Sequence, residues 1–483
     1  MIAAGHVSRP DRAEIKKLLK ALRRRERDAK RDADQALLDQ TGIRTLRRAP
    51  VFPTPSLPSV PPPVPALGGG SIASDDDGDE ELEDEGTSAP EPAPHTSRTR
   101  KCYVCKAAFT KVHAFYDQMC EACAELNWEK RNQSADLTGR VAIVTGSRVK
   151  IGYHAAIKLL RAGARVIVTT RFPHDAAERY GREQDFEAWR DRLSIHGLDL
   201  RHTPSVEAFC AHVLRTEARL DFLLNNACQT VRRPPGFYRH LVDLEARAEV
   251  PPHLRPLLES HEALRAKTDA LTHGPTSAAP VGLVSSAALS QVALTDEDRK
   301  NELHLFPEGA LDQDLQQIDL RGRNSWRLAL DEVSTVELLE VQLVNAIAPF
   351  VLDARLKPLM LRVPTRDKHV VNVSAMEGQF YREHKTDKHP HTNMAKAALN
   401  MLTRTSAADY VKDGIHMNAV DTGWITDEDP HEIAAKKQAM HDFHPPLDSV
   451  DGAARIVAPI FDGFRTGEHV WGLFLKDYRP IPW

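Results

Sequence analysis

Residues 140–153 read R-V-A-I-V-T-G-S-R-V-K-I-G-Y. The opening R-V-A-I-V-T (140–145) is rich in β-branched residues and almost free of polar ones, the pattern of a strand buried on both faces. Gly146 and Gly152 follow within a few positions, and residues 151–162 carry apolar side chains at helical spacing. A strand that turns through glycine into a helix aims backbone N–H groups and the positive end of the helix at one point. That arrangement suits a pyrophosphate. Such a turn is common, so its neighbours decide its meaning.

Downstream, residues 164–169 form a second apolar run and residues 174–192 a polar helix. I-H-G-L-D-L (195–200) reads as a strand, 204–217 as a helix, and L-D-F-L-L-N (220–225) as a further strand. Strand and helix alternating at this spacing predict an α/β fold, a doubly wound parallel sheet with crossover helices. The pattern is lost between Gln229 and about Asp331. It resumes with helices near 333–360 and 392–411 flanking H-V-V-N-V-S (369–374). There is no internal repeat.

Upstream the composition changes. Residues 11–39 read as a charged helix whose sparse apolar positions include Leu18, Leu19, Leu22, Ala29 and Leu37, with a basic block at 23–31. Residues 49–67 are proline-rich, and 75–85 form the acidic run D-D-D-G-D-E-E-L-E-D-E, which repels itself and buries no core. Residues 1–98 are therefore expected to be a mostly disordered arm, its basic block a solvated face; contact of that block with RNA or a membrane surface, and a pairing with the acidic run, stay open. The 483 residues suffice for two or three domains, and 41% hydrophobic content supports a sizeable core. A net charge of −4 gives no global attraction to nucleic acid or acidic lipid, so neither nucleic acid nor a membrane is the expected partner. No run approaching the roughly 18–20 apolar residues of a membrane span is read, nor is a secretory leader. Six cysteines are too few for a disulfide scaffold and suit a reducing compartment; the expected location is cytoplasmic, with a nuclear one left open.

Four of the six cysteines form C-x2-C-x14-C-x2-C: Cys102, Cys105, Cys120 and Cys123. Each C-x-x-C knuckle presents two thiolates on one turn, and four close a tetrahedral zinc shell, which predicts a structural rather than a catalytic ion. The predicted module spans residues 99–135, with a single zinc, and can serve as a docking element for a protein partner. His113 lies between the knuckles and is read as a surface residue rather than a fifth candidate ligand.

Taken in order, the pieces T-G-x3-K-I-G, Asp199, N-N-A-C (225–228), Asn345, V-N-V-S-A (371–375), A-K-A-A-L (395–399) and N-A-V-D-T-G-W-I-T (418–426) resemble the short-chain dehydrogenase/reductases, from about residue 139 to 477. The resemblance implies a Rossmann domain over 136–483 with an insertion at about 229–331. It implies that Gly146, Ile151 and Gly152 line the pyrophosphate turn, Asp199 faces adenine, Asn225 and Ala227 the adenosine side, and Gly423–Thr426 the nicotinamide carboxamide. Lys150 stands at the family's middle glycine. Thr170 stands where NAD-specific relatives carry an acid, and Arg148, Lys150 or Arg171 can hold a 2′-phosphate. The implied cofactor is NADP(H).

Carbonyl reduction in this family uses an asparagine, a serine, a tyrosine and a lysine. Asn345 and Lys396 match; Thr392 replaces the tyrosine, and Ala375 replaces the serine with Ser374 one step earlier. An aliphatic hydroxyl is a poor proton donor. Three readings stand: a substitute acid such as Tyr381, His389 or His391; a hydride transfer needing little acid catalysis, as with an activated double bond; or a cofactor-binding sensor acting through the zinc module. The first two make the chain an oxidoreductase acting on a small molecule. Arg232, Arg233, Tyr238 and His240 of the insertion can meet an anionic substrate or simply brace the insertion. The resemblance also implies a homodimer through the helices bearing Asn345 and Thr392. Cys210 and Cys228 read as small core residues.

Overall fold

The computed structural model describes residues 12–48, 94–246, 250–272, 285–300, 302–312, 316–381, 385–441 and 444–483. The proline-rich and acidic stretches of the expected arm lie outside these residues. Residues up to Trp128 and residues from Glu129 onward make two compact units.

In the first unit, β1 (His95–Lys101) and β2 (Ala108–Lys111) form an antiparallel hairpin. The basic helix runs Arg12–Asp39, and a short second helix, Gly42–Arg47, packs beside the hairpin's outgoing chain. Residues assigned from composition to the arm are thus ordered at this end. Gly42 N–H donates to Ala114 O at 2.8 Å, and the buried Arg44 donates to Asp117 at 2.8 Å.

In the second unit, β3 (Val141–Thr145), β4 (Arg165–Thr170), β5 (Leu193–Gly197), β6 (Phe222–Asn225), β7 (Lys368–Ser374), β8 (Ile415–Asp421), β9 (Phe474–Lys476) and β10 (Arg479–Ile481) form one sheet. The spatial order is β10-β9-β8-β7-β6-β3-β4-β5, with every neighbour parallel except β9 and β10. The order reverses between β3 and β6, the point where doubly wound sheets open a crevice at their carboxyl ends. Alternation within β3 explains its unbroken apolar run. Ala142 and Val144 join the helices Lys150–Arg161 and Ser449–Thr466 on one face. Val141 and Ile143 join Thr203–Thr216 and Ala348–Met360 on the other. Each fully buried aliphatic side chain contributes about 1.5–3 kcal/mol.

Two further expectations need correction. The polar helix over 174–192 is broken: Pro173–Tyr180 ends at Gly181, where Leu254 of the insertion closes in, and Phe186–Trp189 restarts. The stretch Thr335–Met360 is long and apolar enough to cross a membrane by length and composition, although no such run was read from the sequence. Leu352, Leu356 and Leu359 of that stretch are fully buried in the core, which accounts for its apolarity. Its middle, Leu343–Ile347, is a π-helical turn carrying Asn345. Where periodicity fails, the insertion is mainly short helices, including Arg239–Glu245, Glu259–Thr272 and Ser286–Leu289. Phe237, Tyr238, Leu241, Ala287 and Phe306 gather with Phe172 into a core of its own. The insertion is docked beside β4 and β5.

Candidate dinucleotide site

A cavity of about 370 Å³ opens at the carboxyl ends of β3, β4, β5 and β6. Gly146, Arg148, Lys150, Ile151 and Gly152 form one wall; Thr170, Arg171, Asp199, Ala227 and Thr426 also line it. Ten of the residues singled out from sequence for the cofactor are thereby brought to one space. The glycines are required there by contact. A Cβ on Gly152 would stand 2.3 Å from Asn226 Nδ2 and 2.5 Å from Gly146 O, and one on Gly146, at φ +68°, would stand 2.8 Å from Ala227 Cα. Lys150 takes the left-handed φ of 56° that glycine adopts freely, and the helix begins at that residue.

Asn225 is not in the wall. As the last residue of β6 it points inward, where its Nδ2 donates to Asp353 and Asn372, both at 2.8 Å. Burial raises the Asp353 carboxyl to about 7 against the hydrogen bonds from Asn225 and Asn372. Asn226, one step on, faces the opposite way. Its Nδ2 donates to Thr145 O at 2.9 Å and Gly146 O at 3.2 Å, bracing the glycine turn. The two-residue period of a strand separates these neighbours, a signal present in the sequence.

The cations divide sharply. Arg148 is buried and donates to Asp175 at 2.7 Å, an acid that Arg179 shares at 2.7 Å. Arg171 makes no ion pair among the described residues; its guanidinium lies 4.3 Å from the centre of the Tyr238 ring and 5.6 Å from that of Phe172. The Tyr238 hydroxyl, though buried, is held below its ordinary pKa: burial raises it, and Arg171 more than offsets this together with Arg233 and Arg201. Asp199 is chelated by Arg201, whose Nη2 lies 2.6 Å away and whose Nη1 reaches Glu340 at 2.9 Å. Glu340 also takes Arg232 at 3.0 Å, and Arg232 forks onto Asp298 at 2.7 Å through both terminal nitrogens. Arg232 therefore braces the insertion and is not offered to a substrate. Arg233 lines the cavity while paired with Asp319; Tyr238 lines it, and His240 does not.

Phe172, Leu198, Leu200, Arg201, Phe237 and Gln316 complete the wall without having been anticipated. Phe237 and Gln316 come from the insertion, where no periodic signal existed. Cys228 also lines the cavity and is exposed, contrary to its reading as a core residue; Cys210 is buried.

None of the catalytic candidates lines this cavity. Asn345 is buried, its amide spent on Gln229: Oδ1 accepts from that residue's N–H at 2.7 Å, and Nδ2 donates to its carbonyl at 3.1 Å. Ser374, ending β7, donates to Asn400 Oδ1 at 2.5 Å. Thr392 is buried, and its hydroxyl has no hydrogen-bond partner among the described residues. Lys396 Nζ, four residues on in the helix Pro390–Tyr410, donates to Val373 O at 2.8 Å. Ser374, Asn400 and Lys396 thus converge on the end of β7. The proposed substitute acids do not. Tyr381 is 97% exposed, His391 turns toward Glu337 at 3.5 Å, and His389 stacks on Trp326 with ring centres 3.8 Å apart. Gly423, at φ +79°, is held by Asp421, and Thr426 by Glu428.

In the first unit the four knuckle cysteines converge, their sulfurs all within 4.8 Å of one another. A four-cysteine set of this spacing fits a tetrahedral metal ion. His113 is not a surface residue. It is buried, burial pushes it down to about 4, and its Nδ1 accepts from the N–H groups of Phe115 and Tyr116.

The sheet order, the glycine turn and the ordered motifs meet in the sequence comparisons. A "short chain dehydrogenase" family model matches residues 140–240, and an "Enoyl-(Acyl carrier protein) reductase" model matches 324–449. The chain belongs to the short-chain dehydrogenase/reductase superfamily. Between the two matches lies most of the insertion, which this superfamily member adds to the shared fold. An uncharacterized protein of Acanthamoeba polyphaga mimivirus is 32% identical over 373 residues, covering 75% of this chain and 71% of that protein. Dehydrogenase/reductase SDR family member 13 of Bos taurus is 35% identical over 159 residues, 32% of this chain and 37% of that protein. Retinol dehydrogenase 11 of Mus musculus is 35% identical over 112 residues, 22% and 35% of the two chains. The match to these last two spans little more than a third of their length. Among solved structures, the Pseudomonas aeruginosa RhlG/NADP active-site complex covers 71% of this chain and 95% of its own, at 19% identity and a TM-score of 0.43.

Proposed function

We propose that this chain is an NADP(H)-dependent oxidoreductase of the short-chain dehydrogenase/reductase type, acting on a small molecule. One observation carries the reading: the cavity bounded by Gly146 and Gly152 has in its wall the Arg171 guanidinium, which forms no ion pair among the described residues. The glycine turn, too tightly packed on Ala227 and Asn226 for any Cβ, is the support for a pyrophosphate, and Arg171 supplies a planar donor for a 2′-phosphate. Asp175 already occupies Arg148, so Arg171 rather than Arg148 is the phosphate partner. When bound, the nicotinamide supplies or accepts the hydride. Of the residues read for the nicotinamide end, Thr426 lines the cavity, while Lys396 and Ser374 sit at the end of β7. Titration of the intrinsic tryptophan fluorescence tests the reading; NADPH should quench at micromolar concentrations and NADH should compete poorly, whereas equal affinities would overturn the phosphate assignment.

A second reading has its own support. None of the six catalytic candidates lines the cavity, and neither Tyr381 nor His391 is placed as a proton donor. A protein that binds NADP(H) without turnover, reporting its occupancy through the cysteine module, fits those positions. A carbonyl and enoyl substrate screen separates the two: NADPH consumption supports the enzyme, and tight binding without consumption supports the sensor. We also assign a structural zinc to Cys102, Cys105, Cys120 and Cys123. A homodimer is supported by Leu339, Ile347 and Phe350 on one helical stretch and Met394 and Met401 on its neighbour, large side chains 44–60% exposed.

A further inference from the structure

We infer that the helix Arg12–Asp39 docks on an anionic lipid surface. Ile15, Leu18, Leu19 and Leu22 are 42%, 61%, 52% and 56% exposed, large aliphatic side chains left largely uncovered among the described residues. Their spacing places them within an arc of about 100° on the helix. Between residues 15 and 31 there are nine lysines and arginines against two acids, Glu26 and Asp28. The acids are engaged in part: Arg24 and Arg27 lie 3.7 and 3.9 Å from Asp28. Lys16, Lys17, Lys20, Arg23 and Arg25 form no ion pair among the described residues and are all exposed.

An apolar stripe flanked by unpaired cations matches a bilayer interface, where aliphatic groups enter the acyl boundary and cations meet anionic headgroups. Competing occupants fit less of the helix. A second copy of the helix needs a seam sustained over at least three heptads, and here the stripe continues into Glu26, Ala29 and Ala33. Nucleic acid uses the cations and leaves the four aliphatics in water. The acidic run at 75–85 offers only Leu82 to the stripe. The inference departs from the expectation of no membrane partner and takes up the membrane-surface alternative that the basic block left open, with the exposed aliphatic stripe as the added observation. It is independent of the dinucleotide site.

The test is sedimentation of the full chain with phosphatidylcholine vesicles and with phosphatidylserine-rich vesicles, at low and high salt. Binding should require phosphatidylserine, weaken with salt, and fall at least about tenfold when Leu18, Leu19 and Leu22 are all changed to serine. Replacing Arg23, Arg24 and Arg25 by glutamine should give a comparable loss. The stripe is solvent-exposed, so neither variant should alter the melting temperature or NADPH quenching. Three outcomes would overturn the inference: no binding to anionic vesicles, binding undiminished by the leucine replacements, or a preference for RNA over vesicles at equal salt. Conversion of a dimer to a monomer by the leucine replacements, without vesicle binding, would assign the stripe to a second copy instead.

Discussion

Arg171, one residue past the end of β4, stacks over the ring of Tyr238, which the insertion lays against the sheet. The pair joins the shared fold to the insertion, at the wall of the cavity. Tyr238 holds the guanidinium in place by its π face, at a cost in rotamer entropy met before any ligand arrives.

Arg171→Ala should therefore weaken NADPH by about ten- to a hundredfold, the loss of charge-assisted hydrogen bonds worth about 1.5–3 kcal/mol, and leave NADH within about threefold. Tyr238→Ala should reproduce a smaller part of the same loss. Fluorescence titration with the two cofactors reads both; equal effects on NADPH and NADH would remove Arg171 from the phosphate site.

Gly152→Ala should abolish dinucleotide binding and cost about 1–3 kcal/mol of stability, because the new methyl meets Asn226 Nδ2 and Gly146 O inside van der Waals contact. Lys150→Gly should do the opposite to stability. Removing a side chain from the left-handed region raises it by about 0.5–1 kcal/mol, net of the added chain entropy. Denaturant unfolding measures both.

Acid should loosen the insertion. Burial holds His261 down to about 3, with Arg265 the next cause, and its Nδ1 accepts from Gly197 N–H at 3.3 Å. Between about pH 3 and the unfolded value of about 6.5, the unfolded chain binds the extra proton. The stabilising contribution is thus complete above about pH 6.5 and is lost as pH falls toward 3. Corrected for the slower intrinsic exchange of amides in acid, the protection of Gly197 and of Glu259–Thr272 should fall below about pH 6, and His261→Asn should flatten that dependence. Protection that stays constant across this range would exclude His261 as the titrating group.

Tyr381→Phe should leave any turnover within about twofold, since a side chain 97% exposed is surrounded by water and not held against a reacting atom. Lys396→Ala should abolish turnover while leaving the melting temperature within a few degrees. A strong Tyr381→Phe defect would show that its loop folds over the site in the working complex.

Native mass spectrometry should find one zinc per chain, lost on Cys105→Ser. Strong chelation should melt the first unit, because a shell of four cysteines supplies much of the folding energy of so small a module. NADPH quenching in the second unit should persist.

Local pattern determined much of this protein. The run 141–145 alternates between two buried faces, so β3 reads as an unbroken apolar strand, and Gly146 and Gly152 mark the turn because no Cβ fits beside Ala227 and Asn226. The paired knuckles at Cys102 and Cys120 carry their ligand chemistry in their spacing alone. Tertiary structure decided what depends on partners distant in the chain. Arg148 and Arg171 are equivalent as letters, but Asp175 neutralises one and Tyr238 displays the other. Asn225 and Asn226 are adjacent, yet strand pleat sends the first to Asp353 and the second to the glycine turn. Tyr381 and His391 gain or lose a catalytic role only from where their loop and helix point them. The insertion offered no period to read, since its short helices take their register from Phe172 and β5 rather than from a stripe of their own. Propensity and periodicity act over a few residues, whereas charge pairing and burial act across the fold; only the first kind is written along the chain.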